Sequence, residues 1–205
     1  MDDLLTLSVR DFLEATAARR PAPGGGAATA LVGGLAAALA AMALEYTVGK
    51  KAFAGEDRAI REALGAFQSA GRLFQELIAE DAAAYEALGP LLKVPEEARR
   101  RDPDYGAAVV AAIRAPQATA ALAANVLERC GGLLDKTNPR LLSDLGVAAA
   151  LAHAAVHAAE LNVRINLPLL ADAAEAAGLK ESLLELARKA DDQYAIIHTF
   201  MRATL

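Results

Sequence analysis

Apolar residues recur along most of this chain at the three- and four-residue spacing of helices. Ser8, followed three residues later by Asp11, resembles a capping arrangement that opens a first helix. Prolines and glycines at 21–26 predict a loop, after which an apolar helix is expected over about 27–48, with Gly49 as its terminator. A long amphipathic pattern over 56–92 then predicts a third helix.

Prolines mark the expected interruptions in the second half of the chain. The third helix should break at Gly89–Pro90, and a charged segment at 93–106 predicts a loop with a short helical turn. A fourth helix is expected over 107–130 with an interruption near Pro116, and a fifth should begin at Ser143 or Asp144 and reach Pro168. Two last helices are expected over 168–178 and 181–203.

No run of alternating strand-type residues and no strong hairpin turn interrupts this pattern. The sequence therefore predicts an all-α fold, a bundle of six to eight helices in one domain over residues 1–205. Of the 205 residues, 55% are hydrophobic but only 4% are aromatic, so alanine must supply much of a tightly packed core.

Charge and cysteine content narrow the classes of function. The net charge of −5 argues against general affinity for nucleic acid or anionic membrane surfaces. The single cysteine, Cys130, cannot form an internal disulfide, and the acidic first residues do not resemble a secretory signal. A cytoplasmic location is the resulting expectation.

The uncharged stretch from Gly24 to Leu44 has three possible explanations. It is long enough for a membrane span, but it consists mostly of Ala and Gly, and we expect no comparable second span elsewhere. It lacks the Gly-Lys-Ser/Thr ending of a phosphate-binding P-loop. We therefore expect a packed helix, whose glycine-rich start either holds a carboxylate, phosphate or carbonyl on free N–H groups or simply allows two helices to cross closely.

Three segments resemble a known family in their order and spacing: PAPGGGAATALVGGLAAALAAMALEYTVGKK, DAAAYEAL and SDLGVAAALAHAAVHAAELNVRINLPLL. They are similar to the cyclodeaminase/cyclohydrolase family, which contains formiminotetrahydrofolate cyclodeaminases and methenyltetrahydrofolate cyclohydrolases. The resemblance implies a helical homodimer that binds a tetrahydrofolate derivative as its substrate between helices and needs no other cofactor. Position 27 departs from the family pattern, with Ala in place of Ser, and the segment at 93–106 is divergent.

The chemistry implied by this resemblance needs proton transfer at the carbon between N5 and N10 of the folate. Asp81 and Tyr85 share one helix face, so we expect Asp81 to transfer protons or stabilise a cation and Tyr85 to contact the pterin. Partial burial among alanines should raise the pKa of Asp81. A surface carboxylate beside a half-buried tyrosine is the alternative.

Further candidates lie in the other two segments. Asn162 and Asn166 share a face and could bind the pterin edge or join helices, and Arg164 could bind the glutamate tail or pair with Glu160. The resemblance suggests Lys51 as a second catalytic residue that contacts a folate carboxylate or protonates the departing ammonia, whereas a lysine just after the uncharged helix could simply cap it. The remaining substrate-binding candidates are Gly24, Gly25, Gly26 and Asp144.

His153, His157 and Glu160 fall on one helix face, where two histidines four residues apart can hold zinc. Without a His-Glu-x-x-His motif or a cysteine cluster, packing in the core or at a dimer interface is favoured over a metal site. Two alternatives to a folate enzyme remain: a non-catalytic helical assembly protein and a small metal-dependent hydrolase built on the two histidines. Ammonia release and ring hydrolysis are not separable at this level.

Overall fold

The computed structural model describes residues 3–205, which form seven α-helices joined by short connections. No strand occurs within these residues, so the predicted all-α class and helix number are confirmed. The helices are α1 Val9–Ala17, α2 Gly25–Glu45, α3 Asp57–Leu91, α4 Glu96–Arg99, α5 Tyr105–Gly131, α6 Leu142–Asn166 and α7 Ala173–Thr204.

Side-chain caps fix the starts of two helices. The Ser8 hydroxyl accepts the N–H of Asp11 at 3.1 Å, which confirms the capping arrangement predicted for α1. Asp172 caps α7 in the same way. Ser143 and Asp144 do not cap α6, because the helix already begins at Leu142, directly after a 3-10 turn at Pro139–Leu141.

Prolines interrupt the helices less than predicted. Pro90 lies in the last turn of α3, and α5 runs through Pro116 without a break. Proline cannot donate to the carbonyl four residues earlier, which for Pro116 is that of Ala112. The side-chain amide of Asn166 donates to this carbonyl at 3.1 Å, so a group on α6 replaces the missing helical bond.

The two helices expected after Pro168 are a single helix, α7. The expected boundary between them, at 178–181, lies inside α7, and so does Gly178. A side chain at this position would meet nothing within 4 Å. A glycine in such an open helical position costs only about 1 kcal/mol relative to alanine, which packing of the rest of α7 offsets.

Helices α2 and α6 are antiparallel neighbours at the centre of the bundle. Near one end, the Asn162 amide of α6 donates to the Thr29 hydroxyl of α2 at 3.3 Å. Near the other end, Asn138, shortly before α6, donates to Thr47 and to the carbonyl of Tyr46, just after α2, at 3.0 and 3.2 Å. Helix α2 also packs on α3 and α5, and α6 also packs on α5 and α7.

Small residues allow this close packing, as the composition predicted. The ring of Phe74, on α3, lies so close to Gly33 of α2 that a methyl group on this glycine would overlap the ring. The fully buried side chains of α2 are mostly alanines: Ala27, Ala30, Ala36, Ala37, Ala40 and Ala43.

Three helical segments are long and apolar enough to cross a membrane: Gly25–Glu45, Tyr105–Gly131 and Pro139–Leu169. The expectation that no second segment compares with the first was therefore wrong. Helices at the centre of a bundle must be apolar on most sides, so they resemble membrane spans in composition.

Apolar side chains also remain exposed on both central helices. On α6, Val147, Leu161 and Ile165 share one face and are 50%, 63% and 75% exposed. On α2, Leu35 is 50% exposed. We call these four residues the α2–α6 face.

Candidate active site

The carboxylate of Asp81, on α3, lies against the first turn of α2. It accepts the backbone N–H of Ala27, and it approaches Gly26 so closely that a Cβ atom there would overlap it. Helix α2 begins after Gly24, which has no side chain to cap the helix. Asp81 therefore supplies, from another helix, the acceptor that a local cap would provide. Ala27 is fully buried. Where the family pattern has a serine with its hydroxyl, this residue offers only its backbone N–H.

Burial raises the pKa of Asp81 above its ordinary value, and the hydrogen bond from Ala27 opposes this shift without cancelling it. The direction predicted from the alanine-rich surroundings is confirmed. A carboxyl group with a raised pKa can exchange protons nearer neutral pH, which is the property expected of a general acid or base.

The two asparagines at the end of α6 close the site from another side. The Asn162 amide oxygen would lie 3.0 Å from a Cβ atom on Gly25, so it borders the start of α2. Asn166 donates to the carbonyls of Ala112 and Asn162, both at 3.1 Å. Both NH2 groups thus join helices, whereas no residue in 3–205 donates to either amide oxygen. These oxygens remain free to accept hydrogen bonds from a ligand.

Asp81 and Asn166 line one small cavity of about 90 Å³, with Tyr85 at its edge. Thus the predicted residues Asp81, Tyr85 and Asn166 meet, with Gly25, Gly26 and Asn162 alongside. Leu88 and Ala112 complete the apolar walls, together with Ala84, Gly89 and Leu92. Gly24 precedes α2, and its nearest neighbour is the Pro21 carbonyl.

A basic groove of about 490 Å³ adjoins this cavity and shares Tyr85 and Gly89 with it. Its cations are Arg19, Arg20 and Lys93, none of which forms an ion pair with another described residue. Glu86 is the one acid in the lining. This groove was not predicted from the sequence, although its two arginines directly precede the Pro-Ala-Pro-Gly-Gly-Gly element.

Arg164 does not line the cavity or the basic groove. Its guanidinium instead pairs with the buried Glu160 at 3.1 Å, which was the alternative considered from the sequence. Pairing one turn apart satisfies a carboxylate that would otherwise be buried without a partner. The geometry therefore gives Arg164 a structural role and provides no support for its contact with the folate tail.

Lys51 and Asp144 lie at the opposite end of the bundle from Asp81. Lys51 follows α2, and a helix of this length places it about 30 Å from Gly26. Asp144 is in the first turn of α6, similarly far from Asn162. Within one chain neither residue can reach Asp81, so the roles predicted for them beside it require a second subunit.

The two histidines of α6 meet a residue that the sequence pattern did not indicate. His153 and His157 both contact Asp191 of α7, at 2.7 and 2.8 Å, while Glu160 turns to Arg164. His153, His157 and Glu160 lie at i, i+4 and i+7 of α6, as predicted, but the carboxylate beside the two histidines comes from α7, because helix spacing alone does not show what an adjacent helix contributes. The two imidazoles lower the pKa of Asp191.

Comparison with known proteins gives consistent matches. The family model described as formiminotransferase-cyclodeaminase matches residues 8–185. The crystal structure of formiminotetrahydrofolate cyclodeaminase from Thermotoga maritima superposes with a TM-score of 0.89 at 26% identity, covering 98% of each chain.

Two relatives carry the two activities that the sequence did not separate. The methenyltetrahydrofolate cyclohydrolase of Methylorubrum extorquens is 31% identical over 87% of this chain and 86% of its own length. The formimidoyltransferase-cyclodeaminase of Rattus norvegicus is 31% identical over 95% of this chain. That match covers only 37% of the rat protein, so this chain corresponds to about a third of it.

Proposed function

The chain belongs to the formiminotransferase-cyclodeaminase family, and we propose that it is a folate enzyme acting at the carbon between N5 and N10 of tetrahydrofolate. It either closes 5-formiminotetrahydrofolate to 5,10-methenyltetrahydrofolate with release of ammonia or hydrolyses the methenyl compound to 10-formyltetrahydrofolate. The observation that carries this proposal is the cavity in which Asp81, with its raised pKa, lies beside the start of α2 and opposite Asn166.

A single carboxyl group can serve both reactions. In ring closure, N10 attacks the carbon of the protonated formimino group, Asp81 takes the N10 proton, and the same group returns that proton to the nitrogen that leaves as ammonia. In hydrolysis, water adds to the methenyl carbon, Asp81 takes one water proton, and N5 receives it as its bond to carbon breaks. The second water proton leaves to solvent as the formyl C=O bond forms. The ionised carboxylate also stabilises the cationic methenyl centre.

The surrounding groups suit the two ends of a folate. The free amide oxygens of Asn162 and Asn166 can accept hydrogen bonds from the N–H groups of a pterin, and the half-exposed ring of Tyr85 can pack on it. The carboxylates of the glutamate tail fit the basic groove, where Arg19, Arg20 and Lys93 have no other ionic partner.

We also propose that the enzyme is a homodimer formed through the α2–α6 face. Exposed leucine, isoleucine and valine side chains on two adjacent central helices are typical of a surface that a partner covers. A two-fold axis perpendicular to α2 and α6 would place the end of one subunit that holds Asp81 against the end of its copy that holds Lys51. The partner's Lys51 and the partner's Asp144 would then approach Asp81 and complete the site.

Neither alternative function is favoured, because the relatives found are named as folate enzymes. Packing within the bundle, together with a partner at the α2–α6 face, is the explanation that we propose for the three apolar helices. A cytoplasmic location remains part of this proposal.

The test is to follow the near-ultraviolet absorbance of methenyltetrahydrofolate with the purified protein. Loss of the absorbance shows hydrolysis, and its appearance from the formimino substrate, with equimolar ammonia, shows cyclodeamination. If neither folate turns over and neither binds, the proposal is wrong.

A further inference from the structure

A compact group of three metal-binding side chains lies where α6 packs on α7. Nε2 of His153 and Nε2 of His157 are 2.7 and 2.8 Å from the same Asp191 oxygen, and the two nitrogens are 3.2 Å apart. We propose that His153, His157 and Asp191 bind one divalent first-row transition-metal ion, such as Zn²⁺, Co²⁺ or Ni²⁺.

The spacing of the three atoms fits such an ion. Zinc lies about 2.0–2.2 Å from imidazole nitrogen and carboxylate oxygen. Ligand atoms at that radius are about 3 Å from one another, which matches the observed triangle. Two imidazoles and one carboxylate are ligands typical of zinc and its neighbours rather than of calcium or magnesium.

A metal ion also resolves an unfavourable arrangement of protons. If both neutral imidazoles donate from Nε2 to Asp191, their two N–H groups point at one oxygen with nitrogens only 3.2 Å apart. Because a bound cation accepts the lone pairs of both nitrogens and of the oxygen, it removes this repulsion. Among residues 3–205, no lysine or arginine pairs with Asp191, whereas its neighbour Asp192 pairs with Arg188.

The surroundings hold the ligands in place while leaving an entry path. The His153 ring stacks on Tyr194 at a centroid distance of 4.5 Å, which fixes its orientation. The three side chains are 23%, 37% and 55% exposed, so water can fill the remaining coordination positions. His153 lies about 13 Å along α6 from Asn162. The ion would therefore join α6 to α7 and take no part in the folate chemistry.

The experiment uses the full chain without a polyhistidine tag, stripped of metal and titrated with Co²⁺ under visible spectroscopy, then with Zn²⁺ in calorimetry. We expect one Co²⁺ per chain, with d–d bands, and displacement by Zn²⁺. Asp191→Asn and His157→Gln should each weaken binding at least about tenfold and abolish the rise in unfolding temperature that Zn²⁺ produces. Two matched controls, Asp192→Asn and His198→Gln, should bind as the unaltered protein does.

Absence of saturable binding below about 100 μM metal, or equal affinity in Asp191→Asn and the unaltered protein, would overturn the proposal. Circular dichroism without metal establishes that each variant is folded. Folate turnover should be the same with and without the ion, so failure of this inference leaves the proposed function unaffected. A change in turnover on metal removal would contradict the structural role assigned to the ion.

Discussion

The backbone of Gly26 on α2 and the carboxylate of Asp81 on α3 occupy one tight contact that leaves no room for a side chain at position 26. This contact fixes both partners: the helix start receives an acceptor, and the carboxylate receives a defined position beside the cavity.

Gly26→Ala should therefore damage both stability and activity. The new methyl group must displace Asp81 or separate α2 from α3, which we expect to cost about 1–3 kcal/mol in the free energy of unfolding and at least about tenfold in kcat. Gly34→Ala is the matched control, because a Cβ atom there meets Phe74 at an ordinary 3.6 Å. Denaturant unfolding and steady-state kinetics measure the two effects. Equal behaviour of the two variants would contradict the role of the contact.

Asp81→Asn should lower turnover at least about 100-fold, because an amide cannot exchange the proton that both reactions require. Its oxygen can still accept the Ala27 N–H, so the helix start should remain intact. Folate binding, measured by calorimetry, should change much less than kcat. Near-normal turnover in this variant would remove Asp81 from the proton transfer.

The raised pKa of Asp81 also predicts how stability varies with pH. The folded state holds this proton more tightly than the unfolded state, in which the pKa is near the ordinary 3.8. The contribution of Asp81 to stability is thus fully present below pH 3.8 and is lost as pH rises through the higher folded-state pKa. Asp81→Asn should unfold at about the same temperature as the unaltered protein near pH 3 and at a higher one at pH 7. A temperature difference that does not vary with pH would show that burial of the charge carries no penalty.

Sharing of the site between subunits can be tested by mixing inactive variants. Asp81→Asn and Lys51→Ala should each be nearly inactive. Co-expression should restore about a quarter of normal activity, because half of the dimers are mixed. In a mixed dimer, one of the two sites combines the unaltered Asp81 of one subunit with the unaltered Lys51 of the other. Lys50→Ala, next to Lys51, is the control and should retain full activity. Mixed dimers seen by native mass spectrometry but without activity would refute the shared site.

The basic groove should determine affinity for the folate tail. Arg20→Gln and Lys93→Gln are each expected to raise KM about three- to tenfold, with kcat unchanged, because the tail binds equally in the ground and transition states. Lys180→Gln, a change at an exposed lysine on α7, is the control. If Arg164→Gln raises KM while the groove variants do not, the tail binds at Arg164 after all.

Local patterns in the sequence predicted what local physics determines. The cap at Ser8, the alanine core and the shared face of Asp81 and Tyr85 all follow from helix spacing and propensity, and all are present. The family resemblance added which of these residues to associate with folate chemistry.

Relationships between distant segments could not be read from the sequence. Pro116 was expected to interrupt α5, but Asn166 on another helix replaces the lost hydrogen bond. Similarly, Asp191 joined the histidines from α7, and the packing of α3 on the start of α2 placed Asp81 beside Gly26. Each of these outcomes depends on which helices become neighbours.

Because Asp81 caps α2 from a different helix, the first turn of α2 gains this acceptor only once α3 has docked. A nascent or partly opened chain therefore has Asp81, the proposed proton-transfer group, out of position even when both helices are individually formed. We therefore expect catalytic competence to arise only in the step that brings α2 and α3 together, so that an intermediate with these helices apart does not consume folate.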